Sequence, residues 1–230
     1  MKKIAFSLLA TLFISSGTIF GQDCAFYYPK QEGATLEITN YDRKDKVTGK
    51  TVQKITNVQE SGNSMKATIQ MKSYDDKDEL IFESDMDVMC KDNVFNLSME
   101  NFVNGQQMSA FSEADVTIDS DNLRYPANMK PGQELNDGEI TVSVKNAGMP
   151  TMNMTTTISN RKVEGKEKLT TPAGTFDCYK ISYDITSKMM VSVTLKAVEW
   201  ISMDAGVVKS ESYKSNGKLI GYSLLTKLNK

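Results

Sequence analysis

A two-residue alternation of apolar and polar side chains recurs along most of this 230-residue chain. In its clearest run, Met65, Ala67, Ile69 and Met71 are separated by polar residues. Side chains of a β-strand point alternately to the two faces of a sheet, so this period predicts strands with one buried face and one wet face. Antiparallel sheets typically give that pattern. The chain is therefore predicted to be all-β.

Repeated runs of this kind predict about eleven to thirteen strands, arranged as a curved antiparallel sheet or an open half-barrel. The last two, residues 207–213 and 219–228, flank Asn216-Gly217, a pair that favours a tight hairpin turn. Alternating apolar residues over 189–197 predict one strand that includes Met189 and Val191. One short helix is an alternative near Met99, Phe102, Val103 and Gln106, although Gly105 interrupts their spacing.

The first 21 residues have the form of a secretory signal peptide. Lys2 and Lys3 precede an apolar run over residues 4–13, and small residues follow it. That run is shorter than the roughly 20 residues that a transmembrane helix requires. Cleavage is expected after Gly21, with Gly17 as the alternative. The remaining residues 22–230 are expected to form a single β-rich domain in the periplasm or outside the cell, with a candidate break at the prolines of 125–132.

The chain has three cysteines, Cys24, Cys90 and Cys178, which an exported protein carries into an oxidising compartment. Cys90 lies on the apolar face of a predicted strand, and a crosslink at Cys24 would hold the mature N-terminus in place. We predict a Cys24–Cys90 disulfide with Cys178 free, while the spacing leaves other pairings open. A lipid anchor on Cys24 is not favoured, because Asp23 and Gly21 do not match such a site.

The composition excludes several functional classes. Histidine is absent, which removes imidazole bases, Ser-His and Cys-His pairs and histidine metal ligands. Without residues 1–21, which hold two lysines and no acid, 25 basic and 29 acidic residues remain, a net charge of −4. Nothing in this balance favours nucleic acid, which requires a clustered positive surface. No cofactor is expected, and any catalysis would depend on carboxylates, Lys, Tyr or Cys.

Two patterns offer metal ligands, and each has a simpler structural explanation. The thioethers of Met149, Met152 and Met154 suit Cu(I), but the strand spacing of the last two predicts the wall of a sheet. An acidic group could ligate calcium, yet it lacks the glycine and the final glutamate of an EF-hand loop and is predicted to form turns. That group consists of Asp115, Asp119, Asp121 and Asn122. No metal site is predicted.

Other charged and aromatic positions also receive structural interpretations. Ser159 and Lys162 match a Ser-x-x-Lys spacing, but they lie in a strand region without companion motifs. Arg161, among the mixed charges of residues 161–168, is predicted to lie on a solvated strand face. The acidic residues of 75–79 are predicted to form a solvated hairpin loop. Trp200, the only tryptophan, is predicted to anchor the core rather than to stack on a sugar.

The most distinctive segment is TTPAGTFDCYKI, residues 170–181, in which a turn at Pro172 and Gly174 leads into an alternating strand. Together with Tyr125-Pro126, residues 132–135, residues 200–208 and the last hairpin, it resembles a family of exported Gram-negative β-proteins of unknown function related to the TapB-like group. The resemblance covers most of the mature chain. It implies a curved antiparallel sheet and brings no catalytic residues with it.

These observations predict a non-enzymatic envelope protein that binds a lipid-like, apolar or amphipathic ligand, or a protein partner. Apolar strand faces on a half-barrel leave a concave wall that requires a cover or a guest. One alternative is a carboxylate-based hydrolase of envelope polysaccharide, in which two acids would face each other across a sugar. Another is a structural or adhesive module with a filled interior. Binding of nucleic acid and a membrane-spanning segment in the mature chain are not expected.

Overall fold

The computed structural model describes residues 24–102, 114–145 and 150–230, in which thirteen strands form one antiparallel sheet that curls into a nearly closed barrel. The strands are β1 (Thr35–Asp42), β2 (Val47–Ser61), β3 (Ser64–Asp75), β4 (Leu80–Lys91), β5 (Val94–Ser98), β6 (Asp115–Ser120), β7 (Asn122–Pro126), β8 (Gly138–Lys145), β9 (Met152–Thr171), β10 (Gly174–Lys188), β11 (Ser192–Ser202), β12 (Gly206–Lys214) and β13 (Leu219–Asn229). The predicted all-β class and number of strands are confirmed.

The alternation places its apolar residues on the inner face of the sheet. In β3, Met65, Ala67 and Ile69 are buried, while the intervening Lys66 is exposed. The predicted last hairpin is present as β12 and β13, with Gly217 at φ 81° in the turn and its backbone N–H donating to the Lys214 carbonyl at 2.8 Å. A positive φ of this kind favours glycine.

Helix is confined, among the described residues, to one 3-10 turn at Met99–Phe102. Val103 and Gln106, which were considered for the same helix, lie outside the described residues, as do the predicted signal peptide over 1–21, its two cleavage sites and Met149. In the part of the chain that the structure describes, no helix is long and apolar enough to cross a membrane.

The end strands of the sheet, β6 and β7, follow each other in the chain with Asp121 alone between them. β6 pairs with β8 and β7 pairs with β5, so one stretch of chain contacts both ends of the sheet. Asp121 links them further, since its N–H donates to the Glu139 carbonyl at 2.9 Å and its carbonyl accepts from the Met99 N–H at 3.0 Å. This junction brings the sheet close to closure. The strands β1 and β13 pair with each other in the middle of the strand order.

Residues 24–34 cover one end of the barrel, called here the plugged end. They cross from the β4–β5 turn, where the Ala25 N–H donates to Asn93 at 2.9 Å, to the β11–β12 turn, where the Gly206 N–H donates to the Tyr27 carbonyl at 2.5 Å. The rings of Phe26 and Tyr27 pack edge-on against Phe95, with centroids 5.5 and 5.4 Å away. Aromatic packing thus fills this end.

The β1–β2, β3–β4, β10–β11 and β12–β13 turns lie at the opposite end, called here the hairpin end. The predicted continuous strand over 189–197 is wrong in its first part. Residues 189–191 form the turn between β10 and β11, and Met190 is 92% exposed. Their apolar spacing continued that of β11, and no Gly, Asn or Pro marks the turn in the sequence.

Candidate functional site

A cavity of about 210 Å³ lies inside the barrel and is lined mainly by apolar side chains. Five strands and the N-terminal segment contribute its polar groups, which are two ionisable side chains and several hydroxyls. The lining residues are Tyr28, Phe95, Leu97, Leu123, Tyr125, Ile158, Arg161, Tyr183, Glu199, Ile201, Val207 and Ser210. This interior space is the candidate site.

Arg161 enters the interior because of a bulge in β9. Ser159 pairs with Asp184 and Lys162 pairs with Ser182, so Asn160 and Arg161 together oppose Tyr183. Asn160 has φ 55°, in the left-handed region that asparagine adopts more readily than most residues. Such an extra residue shifts the alternation by one and redirects the next side chain. Arg161 is only 1% exposed, so its predicted place on a solvated strand face is wrong.

Arg161 connects β9 to β7 and to the segment that precedes β8. Its Nη1 donates to the carbonyl of Asn136 at 2.8 Å and, more weakly, to that of Arg124 at 3.4 Å. The guanidinium carbon lies 4.6 Å from the centroid of the Tyr125 ring, which favours a cation–π contact. Its Nη2 is buried and has no hydrogen-bond partner among the described residues. One half of the guanidinium is therefore structural, and the other half has no acceptor among the described residues.

Glu199 of β11 is the acidic counterpart of Arg161 and is 6% exposed. It accepts hydrogen bonds from the hydroxyls of Tyr125 at 3.1 Å and Tyr183 at 3.4 Å. Burial raises the pKa of Glu199, while the charge of Arg161 and the two hydroxyls act in the opposite direction. Burial and the nearby carboxylate raise the pKa values of Tyr125 and Tyr183 well above the ordinary value. Both tyrosines therefore act as hydroxyl donors.

This arrangement is suited to binding more clearly than to hydrolysis. A two-carboxylate glycosidase needs its acids about 5–10 Å apart across the sugar. Glu199 is the sole carboxylate among the described residues that line the cavity. The polar groups lie beside an apolar wall that includes Leu97, Leu123 and Ile158. Such a cavity can hold a molecule with one apolar part and one hydrogen-bond acceptor.

Trp200 follows Glu199 in β11 and therefore lies on the opposite face of that strand. It is 4% exposed, because the ammonium groups of Lys180 and Lys209 lie 5.0 and 4.6 Å from its ring centroid. Its Nε1 donates to the carboxylate of Glu167. Trp200 is therefore covered by charged side chains and does not line the cavity.

Three of the four residues considered for calcium lie in strands, so their predicted place in turns is wrong. Asp115 and Asp119 belong to β6, which pairs with β8, and Asn122 begins β7, so that Asp121 alone lies between strands. The acidic residues of 75–79 do form the β3–β4 turn, where both Lys77 and Glu79 donate their N–H groups to the Asp75 carboxylate at 2.9 Å. Met152 and Met154 are half-buried and pack against the core. No group of three Cys, Asp or Glu residues within the described ranges is placed to hold a metal ion.

Cys24 and Cys90 are joined by a disulfide across the plugged end, with their Cα atoms 6.0 Å apart. Cys178 is a free, buried thiol. Burial, together with the nearby carboxylates of Asp177 and Glu167, raises the pKa of Cys178 to about 11. A thiol in this state is a poor nucleophile, because the thiolate is the reactive form.

One feature of the sequence indicated that Arg161 faces the interior, although the general alternation of β9 obscured it. Ile158 and Val163 are both buried in β9, yet they lie five positions apart, an odd interval that would place them on opposite faces of a regular strand. Both can face inward only if a bulge lies between them, and Asn160 is the residue there that best tolerates it. Nothing comparable in the sequence marks Glu199, which follows the ordinary alternation of β11 as a charged residue on an apolar face.

Solved structures share this fold, and two of them are compared with this chain. One, from Bacteroides fragilis NCTC 9343, is classed as an exported protein with a YmcC-like fold and is 26% identical, with a TM-score of 0.74 over 90% of this chain and 100% of that one. The other, from Parabacteroides distasonis ATCC 8503, is classed as a lipoprotein and is 24% identical, with a TM-score of 0.76 over 90% and 100% of the two chains.

Comparison with curated proteins gives no match. The expected relation to the TapB-like group stays a prediction, since the matching family model has another description. That model, described as DUF3108-like, covers residues 31–225. It spans the whole sheet except the last residues of β13, and it includes every residue that lines the cavity except Tyr28. It begins after residues 24–30, which form most of the segment that covers the plugged end. This chain belongs to the DUF3108-like family.

Proposed function

We propose that this chain is an exported envelope protein that holds a small amphipathic molecule inside its barrel. The signal-like residues 1–21 support export, as does the description of the Bacteroides fragilis relative as exported. The observation that carries the binding proposal is the internal cavity, where an apolar wall meets the buried pair Arg161 and Glu199.

Arg161 supplies the reason to expect a guest with an acceptor group. A buried donor without a partner costs about 1–3 kcal/mol, and more when it is charged. The unpartnered Nη2 of Arg161 would recover that free energy on meeting a carboxylate, phosphate or carbonyl oxygen. The apolar part of the guest would then lie against Leu97, Leu123 and Ile158.

The cavity volume limits the guest to a small molecule. Cavities of about 150 Å³ hold a benzene molecule, and ligand pockets for larger molecules begin near 300 Å³. At about 210 Å³, this cavity suits a short acyl or aromatic acid rather than an entire lipid chain. This volume therefore restricts the class of lipid-like ligands expected from the sequence to molecules with short chains.

Native mass spectrometry of protein purified from its own envelope tests this proposal. We expect a bound mass above that of the polypeptide, and a rise in Tm on adding short aliphatic or aromatic carboxylates. Val207→Phe should fill the cavity and abolish both effects, whereas Val47→Phe at an exposed position should keep them. Arg161→Met should weaken the binding of carboxylic acids more than the binding of uncharged analogues of the same shape. Absence of any bound mass and of any Tm shift would contradict the proposal.

A further inference from the structure

The β10–β11 hairpin carries the most exposed large apolar side chains in the described part of the chain. Met189, Met190, Val191 and Val193 are 54, 92, 74 and 55% exposed. Single exposed apolar residues are common on protein surfaces, but a contiguous group at a turn marks a contact site. This group is separate from the cavity, which none of these residues lines.

The hairpin projects beyond its neighbour on one side. β12 ends at Lys214, which pairs with Leu195, so residues 192–194 of β11 have no partner in β12. Three strand residues span about 10 Å. Val193 has the inward direction of Ala197 but is exposed because the sheet ends beside it. The turn therefore stands clear of the β12–β13 hairpin as a narrow apolar tip.

Lysines surround this tip. Lys188 precedes it directly, Lys214 and Lys218 flank the adjacent β12–β13 turn, and Lys145 ends β8. None of the four forms an ion pair with the described residues, in contrast to Lys196 and Lys209 farther along the same strands, which pair with Asp184 and Glu211. Asp115, opposite Lys145 in β6, is the acid facing this group in register.

The acidic β3–β4 turn lies about half-way round the strand order from the tip. Its residues 75–79 include four acids and one lysine. Lys46 and Lys50 pair with Asp76 and Asp78 of this turn, so with Lys77 three lysines stand against its four acids. The rim of the hairpin end therefore has a basic, apolar side at β10–β13 and a nearly balanced, slightly acidic side at β3–β4. A negatively charged surface would favour the first over the second.

We propose that the basic, apolar side of the hairpin end docks on a membrane surface that contains anionic lipids. Residues 189–191 enter the headgroup layer, and Lys188, Lys214 and Lys218 contact lipid phosphates, a combination typical of peripheral membrane binding. A lipid surface fits better than a protein partner, because stable protein interfaces bury about 800 Å² per partner. A narrow tip is small for that, but it can enter a fluid headgroup layer without matching a fixed shape.

Vesicle flotation with the exported chain, its N-terminus established by mass spectrometry, tests this docking. We expect binding to phosphatidylcholine vesicles that contain phosphatidylglycerol, and weaker binding without it or at high salt. The affinity for these vesicles should fall about tenfold or more in the double variant Met190→Asp with Val191→Asp. It should fall several-fold in the double variant Lys214→Glu with Lys218→Glu. Two single variants remote from the tip, Met89→Asp and Lys91→Glu, serve as matched controls and should bind as the unaltered chain does.

The cavity variant Val207→Phe should bind vesicles normally, since docking does not depend on the guest. Absence of vesicle binding by the unaltered chain, or equal binding by the double aspartate variant, would overturn the proposal. A photo-crosslinker at position 190 that captures an envelope protein, in a chain that does not float with vesicles, would assign the tip to a protein partner instead.

Discussion

The two ends of the barrel differ in how they use apolar side chains. At the plugged end, Phe26, Tyr27 and Phe95 are buried together, and a disulfide fixes the segment that carries two of them. At the hairpin end, Met190 and Val191 stand in solvent. Stability in a folded chain is unevenly distributed, and binding elements are often drawn from its less stable parts. The difference indicates that the plugged end maintains the fold while the hairpin end is free to make contacts.

Truncating the aromatic plug should give the largest effect. Phe95 is 1% exposed and contacts three tyrosine rings and Phe26, so Phe95→Ala should lower the free energy of unfolding by about 3–5 kcal/mol. Phe82, half-buried toward the hairpin end, provides the matched control Phe82→Ala, for which a clearly smaller loss is expected. Denaturant unfolding measures both, and equal losses would remove the contrast between the ends.

The disulfide should give the next largest effect. Replacing Cys24 and Cys90 together by Ser should destabilise the chain by about 2–4 kcal/mol, because the bond closes a long loop over a sequence separation of 66 residues. Non-reducing peptide mapping should recover the linked Cys24 and Cys90 peptides, and Cys178→Ala should leave them linked. A diacylglycerol thioether on Cys24 would use the same sulfur atom, so its detection by mass would contradict this pairing.

Substitution of Glu199, which lies inside the barrel between the two ends, should give a smaller and pH-dependent change in stability. Its folded pKa is raised above the value of 4.5, so between these two pKa values the folded chain binds more protons than the unfolded one. Stability from this group is therefore greatest at low pH and falls as pH rises through that window. Relative to the unaltered chain, Glu199→Gln should become more stable as pH rises, whereas Glu60→Gln at an exposed site should not. Tm measured against pH distinguishes the two.

The apolar tip should give the smallest effect on stability. Met190 is 92% exposed, so Met190→Ala should change the free energy of unfolding by less than about 0.5 kcal/mol. Thermal and denaturant unfolding of this variant sharpen the comparison, because a contact site can be lost there without loss of the fold. A loss comparable to that of Phe95→Ala would show that the hairpin end also maintains the barrel.

Local alternation made most of the sheet predictable. Residues such as Ala67 and Ile69 in β3, and Gly217 in the last turn, have one structural role that their neighbours in sequence define. The order of strands was not predictable in this way, because pairing of β1 with β13 joins residues at opposite ends of the chain. Neither was the turn at 189–191, where apolar residues occupy positions that turn-forming residues usually take.

The candidate site depended on the features that local patterns describe least well. Arg161 is inside because a single extra residue in β9 reverses the direction of the side chains that follow. Its contacts are with the carbonyl of Arg124 in β7, at the far end of the strand order, and with that of Asn136 in the segment before β8. A charged residue in a mixed-charge segment is most often solvated. Only the odd interval of five positions between Ile158 and Val163 indicated a bulge in β9 and therefore a buried Arg161.

The pairing of β1 with β13 has a consequence for folding during synthesis. The ribosome makes β1 first and β13 after the other described strands, so β1 lacks one of its two partners until β13 has been made. A chain cut short before residue 219 would therefore leave one edge of β1 and one edge of β12 without a pairing partner. Proteases and other chains can reach such unpaired strand edges. Folding of the barrel thus depends on β13, and a truncated chain is open to proteolysis and aggregation.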